Sequence, residues 1–539
     1  MRYIVCLLLI LTLSTGCSNN LNDIHGSINI PDHLKHVSFD EHLTISVGYW
    51  NIDNMVNAQE KDELLNYIEE LFNITINPVL VDWSNYKERY RILSATNNLP
   101  DIHANLTISS TDSNDSSLLH RLIDNKQIRS IPNDLSKFPN LSKEIKSLEP
   151  LLNIEDSIYT IPRISFHDPI LGSSDASMLI RKDWMENLNL KAPANLDEFI
   201  NLVTAFANND PNNSGEDDTL GYNVNSRIAL GKWLLLGVAP ECNVFSWIEK
   251  DGKYIPTYIT ENFKSVVSTF HNLYQKGGLD PDFYIKKSND AVDDFIHGKL
   301  GALEYKSTPS NIMDIEERWN ACQDKAFDES VTLLNIFPAP DGNLYSNSSN
   351  LFWSETLISS SVDEEKMERI LYLFDYLLSD EGWALTHYGM EGIDYDYKDG
   401  EYRSLLNLGD STLVAVLEDK YPSLILLSTL ASWGGSWNDF ELSEINYLRY
   451  GKNSLELSNG SLLWNKENTL QISRPYHFLL MPKESTELFN AESVLDDLTR
   501  IIISKKDPIK SWEAQLQFYY DNGLDEYINR QNELYKNYK

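Results

Sequence analysis

Between residues 44 and 105 strand and helix signals alternate, and that order leaves few folds open. Thr44–Trp50 is a β-rich run. Leu64, Leu65, Ile68, Leu71 and Phe72 then fall on one helical face, with Asn73 placed to cap the helix C-terminus. Thr75–Val81 reads as a second strand, Ser84 as the N-cap of a helix through Tyr90 and Leu93, and Pro100-Asp101-Ile102 as the opening of a third strand. A β-α-β-α-β order needs crossover connections, so these strands lie parallel in a helix-covered sheet and the fold class is α/β. Ligands of such sheets sit beyond the carboxyl ends of the strands, which makes Trp50, Asn51 and the segment 105–110 candidate site positions.

A chain of 539 residues is too long for one core and predicts at least two lobes. Met178–Arg181 reads as a strand of the second region. Asn195-Leu-Asp-Glu198 is a capping box before a helix whose apolar face is Leu196, Phe199, Ile200, Val203 and Phe206. Trp247–Tyr254 reads as a hairpin turning at Asp251-Gly252. Ile370, Leu373, Phe374 and Leu377 form a helical stripe, Ser379 caps the next helix, and Trp512–Lys539 reads as helical and amphipathic. No internal repeat is evident.

The N-terminus carries one positive charge, Arg2, followed by an apolar run from Ile4 to Leu13. About 20 such residues are needed to span a bilayer, so this run is the core of a signal peptide. It leads into Ser14-Thr15-Gly16-Cys17, which resembles the lipobox of bacterial lipoproteins, with Leu13 one position early. Cleavage after Gly16 then leaves Cys17 as the lipidated residue, and 17–42 as a membrane-anchored tether. Cys6 leaves with the signal, so Cys242 and Cys322 are the remaining thiols, either free or paired. With no CxxC motif or Cys/His cluster, zinc and thiol redox chemistry are not indicated.

Lys and Arg number 45 against 80 Asp and Glu, a net charge of −35. Such a chain repels phosphate backbones and shows no basic cluster to reverse that, which excludes general nucleic-acid binding. Enzyme signatures are also missing: there is no GxSxG, HExxH or Walker A sequence. Twelve Trp, 28 Tyr and 19 Phe exceed what packing alone requires. Receptors for sugars stack flat aromatic rings on the apolar C–H faces of the ligand and hydrogen-bond its polar rim. Trp353, in Leu351-Phe-Trp-Ser354, and Trp433 and Trp437, in Ser432-Trp-Gly-Gly-Ser-Trp-Asn-Asp439, sit among small and polar residues, as pocket walls do.

The sharpest local motif is Asp210-Pro-Asn-Asn-Ser-Gly-Glu-Asp-Asp-Thr219. Side-chain oxygens of Asp210, Asn212, Ser214 and Asp218 alternate along it, Glu216 offers a backbone carbonyl, and Gly215 permits a tight turn. Calcium takes six to eight hard oxygen ligands at this kind of spacing. The motif is not an EF-hand, because its twelfth position is Gly221 and not Glu.

Taken together, Leu99–Ile102, Tyr159–Arg163, Ile180–Pro193, Asp210–Gly221, Gly298–Gly301, Leu378–Gly382 and Tyr388–Tyr395 carry a family likeness, in the family's order. The chain resembles the bacterial extracellular solute-binding proteins, lipoprotein receptors of ABC sugar importers, in the subgroup that includes alginate-oligosaccharide binders. The resemblance implies a two-lobed periplasmic-binding-protein-like fold with a hinge and an interlobe cleft. We expect one lobe from 43–163 and 334–410, and the other from 164–333 and 411–539. It also implies a structural calcium at the Asp210–Thr219 loop. There Ser214 replaces the usual Asn, and Thr219 stands where some relatives have Glu, both changes that weaken such a site.

The expected function is therefore capture of a saccharide by lobe closure and delivery to an ABC permease, with no chemistry performed. The alternatives are a secreted carbohydrate-active enzyme and a receptor for peptides or signalling. Trp50, Asn51, Trp353, Trp433 and Trp437 are the expected pocket set, with Arg181, Tyr388 and Glu391 as polar partners. The protein is expected to be a monomer on the outer face of a Gram-positive-like cell membrane. Its strongly negative charge favours a neutral oligosaccharide over an anionic one.

Overall fold

A computed structural model describes residues 32, 34–57, 60–107, 113–224, 232–244, 246–287, 289–348, 352–473, 487–489 and 491–536. The expected signal segment, Cys17 and most of the tether lie outside the described residues, as does 108–110.

The two larger sheets use strands β1 (Leu43–Trp50), β2 (Ile74–Val81), β3 (Ile102–Asn105), β4 (Thr160–Ile164), β5 (Ser177–Arg181), β6 (Leu220–Val224), β7 (Leu300–Tyr305), β8 (Val331–Leu334) and β9 (Phe352–Ile358). The first sheet has the order β2-β1-β3-β9-β4. Its strands β2 and β3 run parallel to β1, as the alternating pattern predicts, and β9 runs antiparallel between β3 and β4. The second sheet has the order β8-β5-β7-β6, with β6 and β7 parallel and β5 antiparallel to β7 and β8.

Local chemistry explains the first crossover. Asp62 caps helix Glu63–Phe72 by accepting from Leu65 N, and Asn73 ends it in the left-handed region at φ 46°, so the chain turns at once into β2. The next helix spans Tyr86–Ala95 with Asn85 as its N-cap. Ser84, expected there, turns back instead and hydrogen-bonds Asp82 through its backbone N and hydroxyl at 2.7 and 2.5 Å. The hairpin Trp247–Lys250 with Lys253–Pro256 forms as expected, Asp251 and Gly252 both taking positive φ. The C-terminal segment is two helices, Pro508–Asp521 and Leu524–Lys536, because Gly523 adopts φ 100° between them. Cys242 is buried and Cys322 exposed, and no disulfide joins them.

Each sheet has its own core. Ile45, Val47, Ile102, Ile161, Leu357 and Phe374 belong to the first, and Met178, Phe199, Val203, Phe270 and Leu498 to the second. The cores divide the chain differently from the expected lobe boundaries. Leu413, Leu417, Leu426, Leu427 and Leu430 bury in the first core, and Ile336 and Phe337 in the second. Ser423 ties the 413–430 helices to the first lobe by donating to Asp62 from both its backbone N and its hydroxyl at 2.8 Å. The end of the expected tether is also part of the fold: Leu34 is buried, and Phe39 lies against Phe72, Tyr372 and the Arg369 guanidinium. Where the chain first passes between the lobes, Phe166, Ile170, Leu171, Phe440 and Leu462 make a small separate cluster.

Candidate functional site

The carboxyl edge of the first sheet gathers tryptophans from four chain segments. Trp50 ends β1 and is 5% exposed, whereas Trp83, just past β2, is 43% exposed. Between them Asn51 adopts φ 57°, donates its backbone N–H to Val81 O at 2.7 Å and accepts from Trp83 N through Oδ1 at 3.1 Å. Asn tolerates this left-handed conformation better than most residues, which explains its place at the turn. Asn51, expected to touch ligand, thus holds the Trp83 backbone.

Trp353 enters from β9, where the register against β4 slips between Phe352 and Glu355 and Ser354 takes φ 75°. Such a bulge re-aims a side chain, and Trp353 is 39% exposed. Trp433 completes the group. Its backbone N–H donates to Ile164 O at 2.8 Å, and its indole N–H to Trp353 O at 2.6 Å and Ser354 Oγ at 3.1 Å. Gly435 seats this segment, for a side chain there would bring Cβ within 2.6 Å of Ser165 O.

Ring centroids lie 5.1 Å apart for Trp50 and Trp83, 5.6 Å for Trp50 and Trp353, 5.8 Å for Trp83 and Trp353, and 5.0 Å for Trp353 and Trp433. Tyr86 stacks on Trp83 at 5.4 Å. Behind the rings lies Arg163, fully buried, 4.3 Å from the Trp433 ring and 5.2 Å from that of Trp50. Its Nη2 donates to Tyr49 Oη at 2.6 Å, and Tyr49 Oη to Thr429 Oγ1 at 2.7 Å. Burial draws its pKa down while Tyr49 and Glu355 oppose the shift, and the guanidinium stays charged. The result is a braced aromatic surface with two rings open to solvent, suited to the flat apolar face of a saccharide.

The structure therefore brings together Trp50, Asn51, Trp353 and Trp433 of the expected pocket set, and places the others elsewhere. Trp437 packs on the crossing cluster, its Nε1 donating to Asp168 Oδ2 at 2.9 Å. Arg181 is buried in the second lobe, paired twice with Asp183 at 2.8 and 2.7 Å and lying over Trp184 and Trp319. Tyr388 is buried against Trp383, Tyr395 and Tyr402, and Glu391 bridges to Tyr395. Trp83, Tyr86 and Arg163 were not among the expected residues, although Trp83 stands only two residues past the end of β2. A groove of about 400 Å³ lined by Met185, Pro193, Thr332, Ile336 and Leu344 contains none of these aromatics.

The acidic loop closes on Ser214. Its backbone N donates to Asp210 Oδ1 at 2.9 Å, and its hydroxyl to Asp218 Oδ1 at 3.1 Å and the Glu216 carbonyl at 3.5 Å. Asn212 Nδ2 donates to Asp218 Oδ1 at 3.0 Å. Five of the expected oxygen groups thus converge. Thr219 does not join them: its buried hydroxyl donates to Phe206 O at 2.8 Å, which ties the loop to the preceding helix. Among the described residues no group of three or more His, Cys, Asp or Glu side chains is placed to hold a metal, so any ion here draws on Asn, Ser and backbone oxygens as well.

No protein-family model matches the chain. It is 26% identical over 338 residues to the polygalacturonan/rhamnogalacturonan-binding protein YtcQ of Bacillus subtilis, a match covering 62% of this chain and 64% of that protein. It is 26% identical over 415 residues to the lipoprotein LipO of the same organism, covering 75% and 76%. Among solved structures, the alginate-binding protein AlgQ2 without calcium ion superposes with a TM-score of 0.67 at 15% identity, over 92% of this chain and 98% of that one. The S. pneumoniae ABC-transporter substrate-binding protein FusA in complex with kestose gives 0.64 at 17%, over 92% and 99%. The chain has the two-lobed α/β fold of the extracellular solute-binding proteins, the kind of protein its sequence motifs resemble.

Proposed function

We propose that this protein is the ligand-capturing receptor of an ABC importer and binds a saccharide between its lobes without transforming it. The observation that carries the reading is the braced tryptophan surface, with Trp83 and Trp353 exposed at a sheet's carboxyl edge. The relatives support it: one is named for binding polygalacturonan and rhamnogalacturonan, and the FusA structure holds kestose. Ligand contact with both lobes favours the closed state over the open one, and a permease then receives the loaded form.

Export with lipid attachment at Cys17 keeps such a receptor beside its permease at the cell membrane, and a relative named as a lipoprotein supports this. Among the described residues no helix is long and apolar enough to cross a membrane. Calcium is the ion that the Asp210–Asp218 loop fits, through Asp210, Asn212, Ser214, the Glu216 carbonyl and Asp218. Hard oxygen ligands of this kind hold calcium, whose charge would offset the crowded carboxylates and fix the loop. The site is structural, since it lies in the second lobe apart from the tryptophans.

A thermal-shift screen of the purified chain over mono- and oligosaccharides tests the reading. A ligand bound only by the folded state raises Tm. Stabilisation by peptides and by no saccharide overturns the substrate class, and release of sugar products overturns the absence of chemistry.

A further inference from the structure

The first lobe's tryptophans offer an apolar face but few groups for sugar hydroxyls, so the polar half of the site has to be found elsewhere. The connection that leaves the first sheet at Ile164, beside the backbone of Trp433, enters the second sheet at Ser177. Residues 169–175 of it form a 3-10 helix, so the whole connection spans at most about 35 Å. At its end stands Asp175. Tyr305, the last residue of β7, pairs with Ser177, which places Lys306 at the same edge. Trp233 N donates to Glu304 Oε1 at 2.9 Å, which brings Lys232 there too.

These three side chains are arranged in a particular way. Lys232 Nζ lies 3.4 Å from Asp175 Oδ2, and Lys306 Nζ lies 3.4 Å from Asp175 Oδ1. One ammonium thus faces each carboxylate oxygen, at more than the 2.7–2.9 Å of a closed charge-assisted hydrogen bond. Side-chain exposures are 21% for Asp175, 40% for Lys232 and 54% for Lys306. Asp175 is the more sheltered partner, and both lysine heads are open enough to meet a ligand at this strand-end edge. A sugar hydroxyl both accepts and donates, so from the side it bridges an ammonium and a carboxylate oxygen 3.4 Å apart by doing both.

We propose that Lys232, Asp175 and Lys306 form the second lobe's half of the binding site and read a vicinal diol of the saccharide. Each hydroxyl donates to one oxygen of Asp175 and accepts from the lysine facing that oxygen. The inference rests on the proposed saccharide-receptor reading and adds to it the residues and the ligand group. The lysines leave one positive charge beyond that of Asp175, yet the recognition is of hydroxyls, so a neutral ring suffices.

Titration calorimetry on the purified full chain with kestose, trigalacturonate and maltotriose, at low and high salt, tests this against the variants D175N, K232M, K306M and W353A. For any saccharide that binds, D175N is expected to weaken affinity about tenfold or more and each lysine variant several-fold, at both salt levels. The Tm of each unliganded variant should match the parent, which separates lost recognition from lost folding. If all three polar variants bind within about twofold of the parent while W353A loses binding, the diol site is wrong and the receptor reading stands. If the lysine variants affect trigalacturonate alone and high salt abolishes its binding, the site takes a carboxylate and the diol assignment fails. If the parent binds no saccharide, or W353A binds like the parent, the saccharide reading of the site falls and this inference with it.

Discussion

The indole N–H of Trp433 donates to the backbone carbonyl of Trp353 at 2.6 Å, across 80 residues of sequence. That bond fastens a segment following helix 424–430 to the bulged start of β9, and it fixes one exposed ring of the aromatic surface from behind. Removing the ring and removing the bond therefore have different consequences. Trp353→Ala should weaken saccharide binding by at least about tenfold, since an aromatic contact of this kind contributes on the order of 1 kcal/mol beyond its buried area. Trp433→Phe keeps a ring but loses the donor, and should cost only a few-fold. Calorimetric affinities check the order of the two effects; equal losses would show that the bond, and not the ring, governs the site.

Asn51 offers a second separation. Asn51→Gly keeps the left-handed backbone but deletes the acceptor for Trp83 N, whereas Asn51→Ala deletes it and strains the turn as well. The expected outcome is a small loss of stability for Gly and a further ~1 kcal/mol for Ala, with ligand affinity reduced in both. Chemical denaturation and binding measured on the same samples decide it, and unchanged affinity in Asn51→Gly would return Trp83 to a bystander.

Calcium should raise the Tm of the protein and a chelator should lower it. Asp210→Ala and Asp218→Ala should each abolish that response, because both carboxylates converge on Ser214. Thr219→Val should leave the calcium response intact, since the Thr219 hydroxyl serves Phe206 O. A calcium-dependent Tm surviving in Asp218→Ala would place the ion elsewhere.

Burial pushes the Glu304 carboxyl up to about 7, against hydrogen bonds from Trp233 N and Tyr222 Oη. The folded state therefore keeps this proton where the unfolded chain has lost it. Its contribution to stability is present below the unfolded pKa of about 4.5 and fades as pH rises through 7. His387 has the opposite sign: burial first, then Arg449, draws it down to about 4, so its contribution is lost as pH falls from about 6.5. The two slopes overlap, and the readable quantity is the difference between the parent and Glu304→Gln. That difference should shift in favour of the variant between pH 5 and 8, by up to about 3 kcal/mol. A constant difference across that range would mean that Glu304 titrates normally.

The sequence by itself determined what depends on neighbours along the chain. The strand and helix order of residues 43–105, the cap at Asn73, the Asp251-Gly252 hairpin and the convergence of the Asp210–Asp218 oxygens all follow from periodicity, turn chemistry and short spacing. Strand-end logic also found Trp50, and its polar context found Trp353 and Trp433. Tertiary structure alone decided which rings meet. Trp433 and Trp437 stand four residues apart, yet Gly434 at φ 71° and the close approach of Gly435 to Ser165 O send one to the aromatic surface and the other to the crossing cluster. Apolar periodicity shows that a helix must bury a face but not in which core, so the 413–430 helices joined the first lobe unforeseen. Arg163 left no local signal, because its place depends on rings and a hydroxyl drawn from residues 49, 50 and 433.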